Sequence, residues 1–92
     1  MIKCLKITFS LVGDEITLHS FLQKYAKQFN IEGVVQRMPD KTMKLIACGE
    51  GEAVDEFVDF LHKGTTNVLL EDIELEPFLK DKDYRGVFRV IE

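Results

Sequence analysis

Residues 5–29, LKITFSLVGDEITLHSFLQKYAKQF, change periodicity once, and that change sets the architecture. Leu5, Ile7, Phe9 and Leu11 alternate with Lys6, Thr8 and Ser10. A repeat of two sends successive side chains to opposite faces, so this is a strand with one apolar and one wet face. It ends near Val12-Gly13. From there the repeat is that of a helix. Leu18, Phe21, Leu22, Tyr25, Ala26 and Phe29 fall at i, i+3, i+4, i+7, i+8 and i+11. The positions between them (His19, Ser20, Gln23, Lys24, Lys27 and Gln28) are all polar, which leaves one broad apolar stripe. Asp14 or Thr17 is the candidate N-cap. Asn30 tolerates the left-handed conformation that often ends a helix.

Downstream, Val34-Val35 reads as part of a short strand and Met38-Pro39-Asp40-Lys41 as a turn. Met43, Leu45 and Ala47 form a second strand, so the unit is a hairpin. Gly49-Glu50-Gly51-Glu52 interrupts it. Val54, Phe57, Val58 and Leu61 then share one face of a second helix. Glu50, Glu52, Asp55 and Glu56 crowd its first turns, where the helix dipole favours anions, while Lys63 and Gly64 close it. Val68-Leu69-Leu70, Ile73 and Leu75 read as a strand broken by Glu71-Asp72 with a register switch, ended by Pro77. Residues 87–91 give a last short strand. The order is β-α-β-β-α-β with one extra strand. It predicts an α/β (α+β) fold, a ferredoxin-like sandwich with one mostly antiparallel sheet and both helices on one face. The right-handed crossover rule gives strand order 4-1-3-2.

Ninety-two residues suit one small domain, and 46% hydrophobic with 30% charged residues is the balance of an ordinary folded protein. No apolar run approaches the ~20 residues of a membrane span. The start, MIKCLKITFS, lacks the apolar block of a signal peptide, so the expected location is cytoplasmic, with Cys4 and Cys48 as reduced thiols. The two lie on strands that the topology makes neighbours. Without C-x-x-C or H-x-x-x-H spacing they form no zinc motif, and no metal or cofactor is expected. Charge is uneven. Residues 1–45 hold seven Lys/Arg and four Asp/Glu, a net of +3; residues 46–92 hold five and twelve, a net of −7. With a pI of 5.2 and no basic stripe, nucleic acid is not an expected partner.

The stretch from Asn30 onward resembles the acylphosphatase family. Asn30-Ile31-Glu32-Gly33-Val34-Val35 occupies the first matching segment. Pro39-Asp40-Lys41-Thr42-Met43 takes the turn, and Ile46-Ala47-Cys48-Gly49 the end of the next strand. Val54 to Gly64 matches the second helix, and Phe88-Arg89-Val90 the last strand. The resemblance implies a single acylphosphatase-like domain over residues 1–92. It also implies an activity: hydrolysis of acyl phosphates without a metal. In that family a glycine-bearing loop before the first helix cradles the phosphate with backbone N–H groups and an Arg, and an Asn on the second strand orients the attacking water. Successive N–H groups at a helix start form an anion nest, and a guanidinium grips phosphate oxygens as a fork.

Counting back from Asn30 without gaps puts that loop on Leu11 to His19. Here the glycine positions hold Glu15 and Thr17, the Gln position Asp14, the Phe position Leu18 and the Arg position His19. The Asn position holds Arg37. The leading expectation is therefore an acylphosphatase-like domain without acylphosphatase activity, acting as a small interaction or ligand-binding module. The alternative is a divergent metal-independent acylphosphatase. In it Arg37 and His19 face each other across one pocket and bind the phosphoryl group, helped by loop N–H groups of Asp14, Glu15, Ile16, Thr17, Leu18 and His19. A small-anion sensor using the same groups is a third reading. More ordinary roles stand beside these: His19 as a solvent-facing helix residue, Arg37 as an exposed cation near Asp40, and His62 as a cation in a last helical turn. The expected partner is a protein or a small anion. The wet sheet face, with Lys6, Thr8 and Ser10, and Thr42, Lys44 and Ile46 beside them, is the largest candidate partner surface. The open sheet edge allows a monomer or a weak homodimer.

Overall fold

The computed structural model of the chain describes residues 2–40, 42–64, 68–77 and 88–91. Lys41, in the expected turn, and Val87, in the expected last strand, lie outside the described residues. The first element, β1 (Ile2–Gly13), buries Leu5, Ile7 and Phe9 and leaves Lys6, Thr8 and Ser10 half-exposed, as its alternation predicts. The first helix, α1 (Glu15–Gln28), buries Leu18, Phe21, Leu22 and Ala26. It ends in a Schellman-type closure. Asn30 takes φ 55°, its N–H donates to the Lys27 carbonyl, and the Ile31 N–H donates to the Ala26 carbonyl at 2.7 Å.

The hairpin follows as β2 (Glu32–Arg37) and β3 (Thr42–Glu50), paired antiparallel from Glu32↔Cys48 to Arg37↔Met43. Its turn is held by Asp40, whose Oδ1 accepts the Thr42 N–H at 3.0 Å and the Thr42 hydroxyl. The second helix, α2 (Gly51–Lys63), packs Val54, Phe57, Val58 and Leu61 inward and ends at Gly64, where φ is 65°. His62, in its last turn, sets Nδ1 3.0 Å from the Val58 carbonyl oxygen. Two edge strands complete the sheet, β4 (Val68–Pro77) and β5 (Phe88–Ile91).

The sheet order is β4-β1-β3-β2-β5, which is the expected 4-1-3-2 with the extra strand added beside β2. β5 runs parallel to β2, and the other pairs are antiparallel. The expected switch at Glu71-Asp72 is a bulge. The β1–β4 register shifts between Thr8 and Ser10, and Asp72 adopts φ 53°. Val68 and Leu70 before the bulge and Ile73 after it therefore all reach the same core. That core lies between the sheet and the helices. A smaller apolar cluster, Ile46 and Cys48 with Cys4 and Val34, sits on the other sheet face.

Cys4 and Cys48 correct one expectation. They are direct partners in the β1–β3 register, with Cα atoms 4.1 Å apart, and are joined in a disulfide rather than held as two thiols. The strand pattern placed them on neighbouring strands; only the register put them opposite one another. None of the described helices is long and apolar enough to cross a membrane.

Candidate functional site

The C-terminal ends of β1, β2 and β5 and the N-terminus of α1 meet at one end of the sheet. Arg37 continues the helix-facing alternation of Gly33 and Val35, so the last residue of β2 lies beside the first turn of α1. A cavity of about 450 Å³ opens there, lined among the described residues by Glu15, His19, Arg37 and Ile91. His19 and Arg37 are thus brought together as the sequence suggested.

Their chemistry is altered by Glu15. The Arg37 Nε–H donates to Glu15 Oε1 at 2.8 Å, and Nη2 donates to Glu15 Oε2, so the carboxylate fills the guanidinium fork. The Glu15 side chain is 30% exposed and that of Arg37 64%. The bond to Arg37 holds the Glu15 carboxyl below its ordinary value, and the same bond raises Arg37 further into the charged state. The expected proximity of Arg37 to Asp40 gives way to this contact, since Asp40 serves its own turn.

The stretch read as a loop, residues 14–19, is helix from Glu15 onward, with Asp14 alone as its N-cap. Asp14 has extended backbone angles, and its Oδ2 accepts the Thr17 N–H at 3.0 Å and the Thr17 hydroxyl at 2.8 Å. Those two bonds from Thr17, side chain first, lower its carboxyl, and the Ile16 N–H acts in the same direction. The Leu18 N–H donates to the Asp14 carbonyl. Of the donors that would form an anion nest, the Thr17 and Leu18 N–H groups are therefore already engaged by the oxygens of Asp14. Ile16 projects into solvent, 74% exposed, and Leu18 is fully buried, so neither offers a side chain to the cavity.

Ile91 and the role of Glu15 were not read from the sequence. Ile91 reaches the cavity because β5 pairs with β2, with Gln36 opposite Ile91. A four-residue strand carries no signal of which edge it joins. The signal for Glu15 was available: the same gapless count that puts Arg37 at the site puts a carboxylate at its glycine position. Among the described residues no group of three or more His, Cys, Asp or Glu is placed to hold a metal ion.

An open-faced sandwich with β-α-β-β-α-β order, here with a cavity between the first helix start and the end of the second strand, is a ferredoxin-like α/β frame. The sequence model of the acylphosphatase family matches residues 14–90, so the chain belongs to that family. It is 30% identical over 74 residues to an acylphosphatase of Methanococcoides burtonii, covering 80% of this chain and 77% of that one. Among solved structures it is similar to the acylphosphatase of Bacillus subtilis, with TM-score 0.84, 18% identity and full coverage of both chains. It is also similar to an acylphosphatase from Coxiella burnetii, with TM-score 0.83, 22% identity, and 98% of this chain and 93% of that one covered. At these identities the two structures speak for the fold. The names of the relatives favour the hydrolase alternative over a non-catalytic domain.

Proposed function

We propose that this chain is a member of the acylphosphatase family that keeps the scaffold as a small ligand-binding or interaction domain and does not turn over acyl phosphates. One observation carries the reading: the Nε–H and an Nη2–H of Arg37 are both bound by the Glu15 carboxylate. A phosphoryl group entering the cavity would compete with the Glu15 carboxylate for the only guanidinium among the described residues lining it, and would lie beside that carboxylate. A guanidinium at the second-strand position cannot accept a hydrogen bond from water, so it does not replace an amide that orients a nucleophile.

The second reading, a divergent metal-independent acylphosphatase, is favoured by the acylphosphatase relatives. In that case the substrate's phosphoryl group takes Glu15's place on Arg37, and His19 supplies a further donor.

Hydrolysis of benzoyl phosphate separates the two. The expected result is no rate above spontaneous hydrolysis, in the parent and in Arg37→Ala alike. Turnover that is lost in Arg37→Ala would establish the hydrolase instead.

A further inference from the structure

A second cavity, of about 430 Å³, opens on the opposite face of the sheet from the helices. Its floor is Lys6 and Thr8 from β1 with Thr42 and Lys44 from β3. Its wall is the hairpin turn, from half-buried Met38 through Pro39 to Asp40. Thr8 lies opposite Lys44 in the register and Lys6 opposite Ile46, so the two lysines are diagonal neighbours across the β1–β3 pair. Both are half-buried and both line the cavity.

The neutralisation of the lysines on these two strands is graded. Lys3, on the helix side of β1, pairs with Asp55 at 2.8 Å. Among the described residues Lys6 has only Glu76 at 4.0 Å, the outer limit of an ion pair, and the Glu76 side chain is 65% exposed. The Lys44 side chain has no ion pair or hydrogen bond among the described residues. Asp40 also lines the cavity, but its carboxylate is turned into the turn, where it accepts the N–H and hydroxyl of Thr42. A chain with net charge −4 thus keeps two adjacent, poorly matched cations against an apolar wall.

We propose that this cavity binds a small organic anion. Its charged group, a carboxylate or phosphate, lies between Lys6 and Lys44 with the Thr8 hydroxyl as a further donor, and its apolar body rests on Met38 and Pro39. The charge supplies the attraction and the wall the selectivity. The site gives the ligand-binding reading its ligand class. Its occupancy is measurable whether or not the Glu15–Arg37 cavity hydrolyses acyl phosphates.

The test is amide NMR on the full chain, titrated separately with phenyl phosphate, benzoate and inorganic phosphate. Saturable shifts are expected at Thr8, Thr42 and Lys44 with phenyl phosphate or benzoate, and the order of the two names the preferred head group. Lys44→Gln and, independently, Lys6→Gln should each weaken binding about fivefold. Arg37→Gln should leave it unchanged. The proposal is overturned by three results: no saturable shifts with either organic anion, shifts centred on Glu15 and His19, or affinities indifferent to both lysine variants. Organic anions that bind no tighter than inorganic phosphate would overturn it too, since the apolar wall would then contribute nothing.

Discussion

At Gly33 the backbone takes φ 151°, and a Cβ built there would lie 1.8 Å from the Ile46 carbonyl oxygen. The contact is with the backbone of the paired strand in the β2–β3 ladder, so it cannot be relieved by turning a side chain. Gly33→Ala must therefore part the two strands or distort them, and we expect it to cost at least about 2 kcal/mol in stability. Gly49→Ala is the comparison. There the Cβ meets the flexible Ile31 Cδ1 at 3.0 Å and the Asn30 backbone oxygen at 3.2 Å, a milder contact that a shift of a few tenths of an ångström relieves. Urea unfolding of both variants checks this: equal losses would mean that the Gly33 clash is absorbed elsewhere. In the sequence both residues were visible as matched glycines of a family pattern, and neither periodicity nor composition told which one is required. That distinction depends on the cross-strand carbonyl, which exists only once β2 and β3 pair. Asn30 is the opposite case. Its place after the last apolar residue of α1, and its tolerance of positive φ, were enough to predict the helix end.

Elements with a long, unbroken period were legible: β1, α1, α2 and the hairpin all lie where their apolar spacing puts them. So was the bulge in β4, because two acidic residues interrupt an apolar run and the apolar residues resume one position out of phase. The contact between elements at the site was less so. Arg37 closes β2 and Glu15 opens α1, and nothing local to either says that they pair. The pair makes a prediction about acid. The bond from Arg37 holds the Glu15 carboxyl below its ordinary value of 4.5 in the folded chain. A depressed carboxyl adds stability that is fully present above the ordinary value and is lost as pH falls through the folded one. The tie between α1 and β2 should therefore weaken on acidification below about pH 5. Glu15→Gln removes this titration, so its stability should fall less steeply than the parent's between about pH 5 and pH 3. Asp14 and Asp40, whose carboxyls are lowered by Thr17 and Thr42, retain their own acid dependence in both proteins. Thermal melts across that range give the two slopes, and parallel slopes would remove the ion pair from the account of the site.

At the scale of the whole molecule the disulfide sets a constraint that the strand pattern did not reveal. Cys4 and Cys48 tie β1 to β3 in the middle of a five-stranded sheet and close a loop with a sequence separation of 44. That loop contains α1 and the β2–β3 hairpin, so the unfolded chain with the bond intact keeps half its length tethered. On the chain-entropy account, a loop of this length contributes about 4 kcal/mol, acting chiefly by narrowing the unfolded ensemble. For a small domain that is a large share of the ~5–15 kcal/mol total. Reductant should therefore lower the urea midpoint of the parent by an amount near that contribution. Cys4→Ser should match the reduced parent and show no further change with reductant. Cys4 is the half-exposed member of the pair, so the serine hydroxyl can reach solvent; at Cys48, which is fully buried, the same exchange would add a desolvation cost that confuses the comparison. If Cys4→Ser and the oxidised parent unfold at the same midpoint, the register contact and its packing with Ile46 and Val34 hold these strands, and the covalent bond adds nothing measurable.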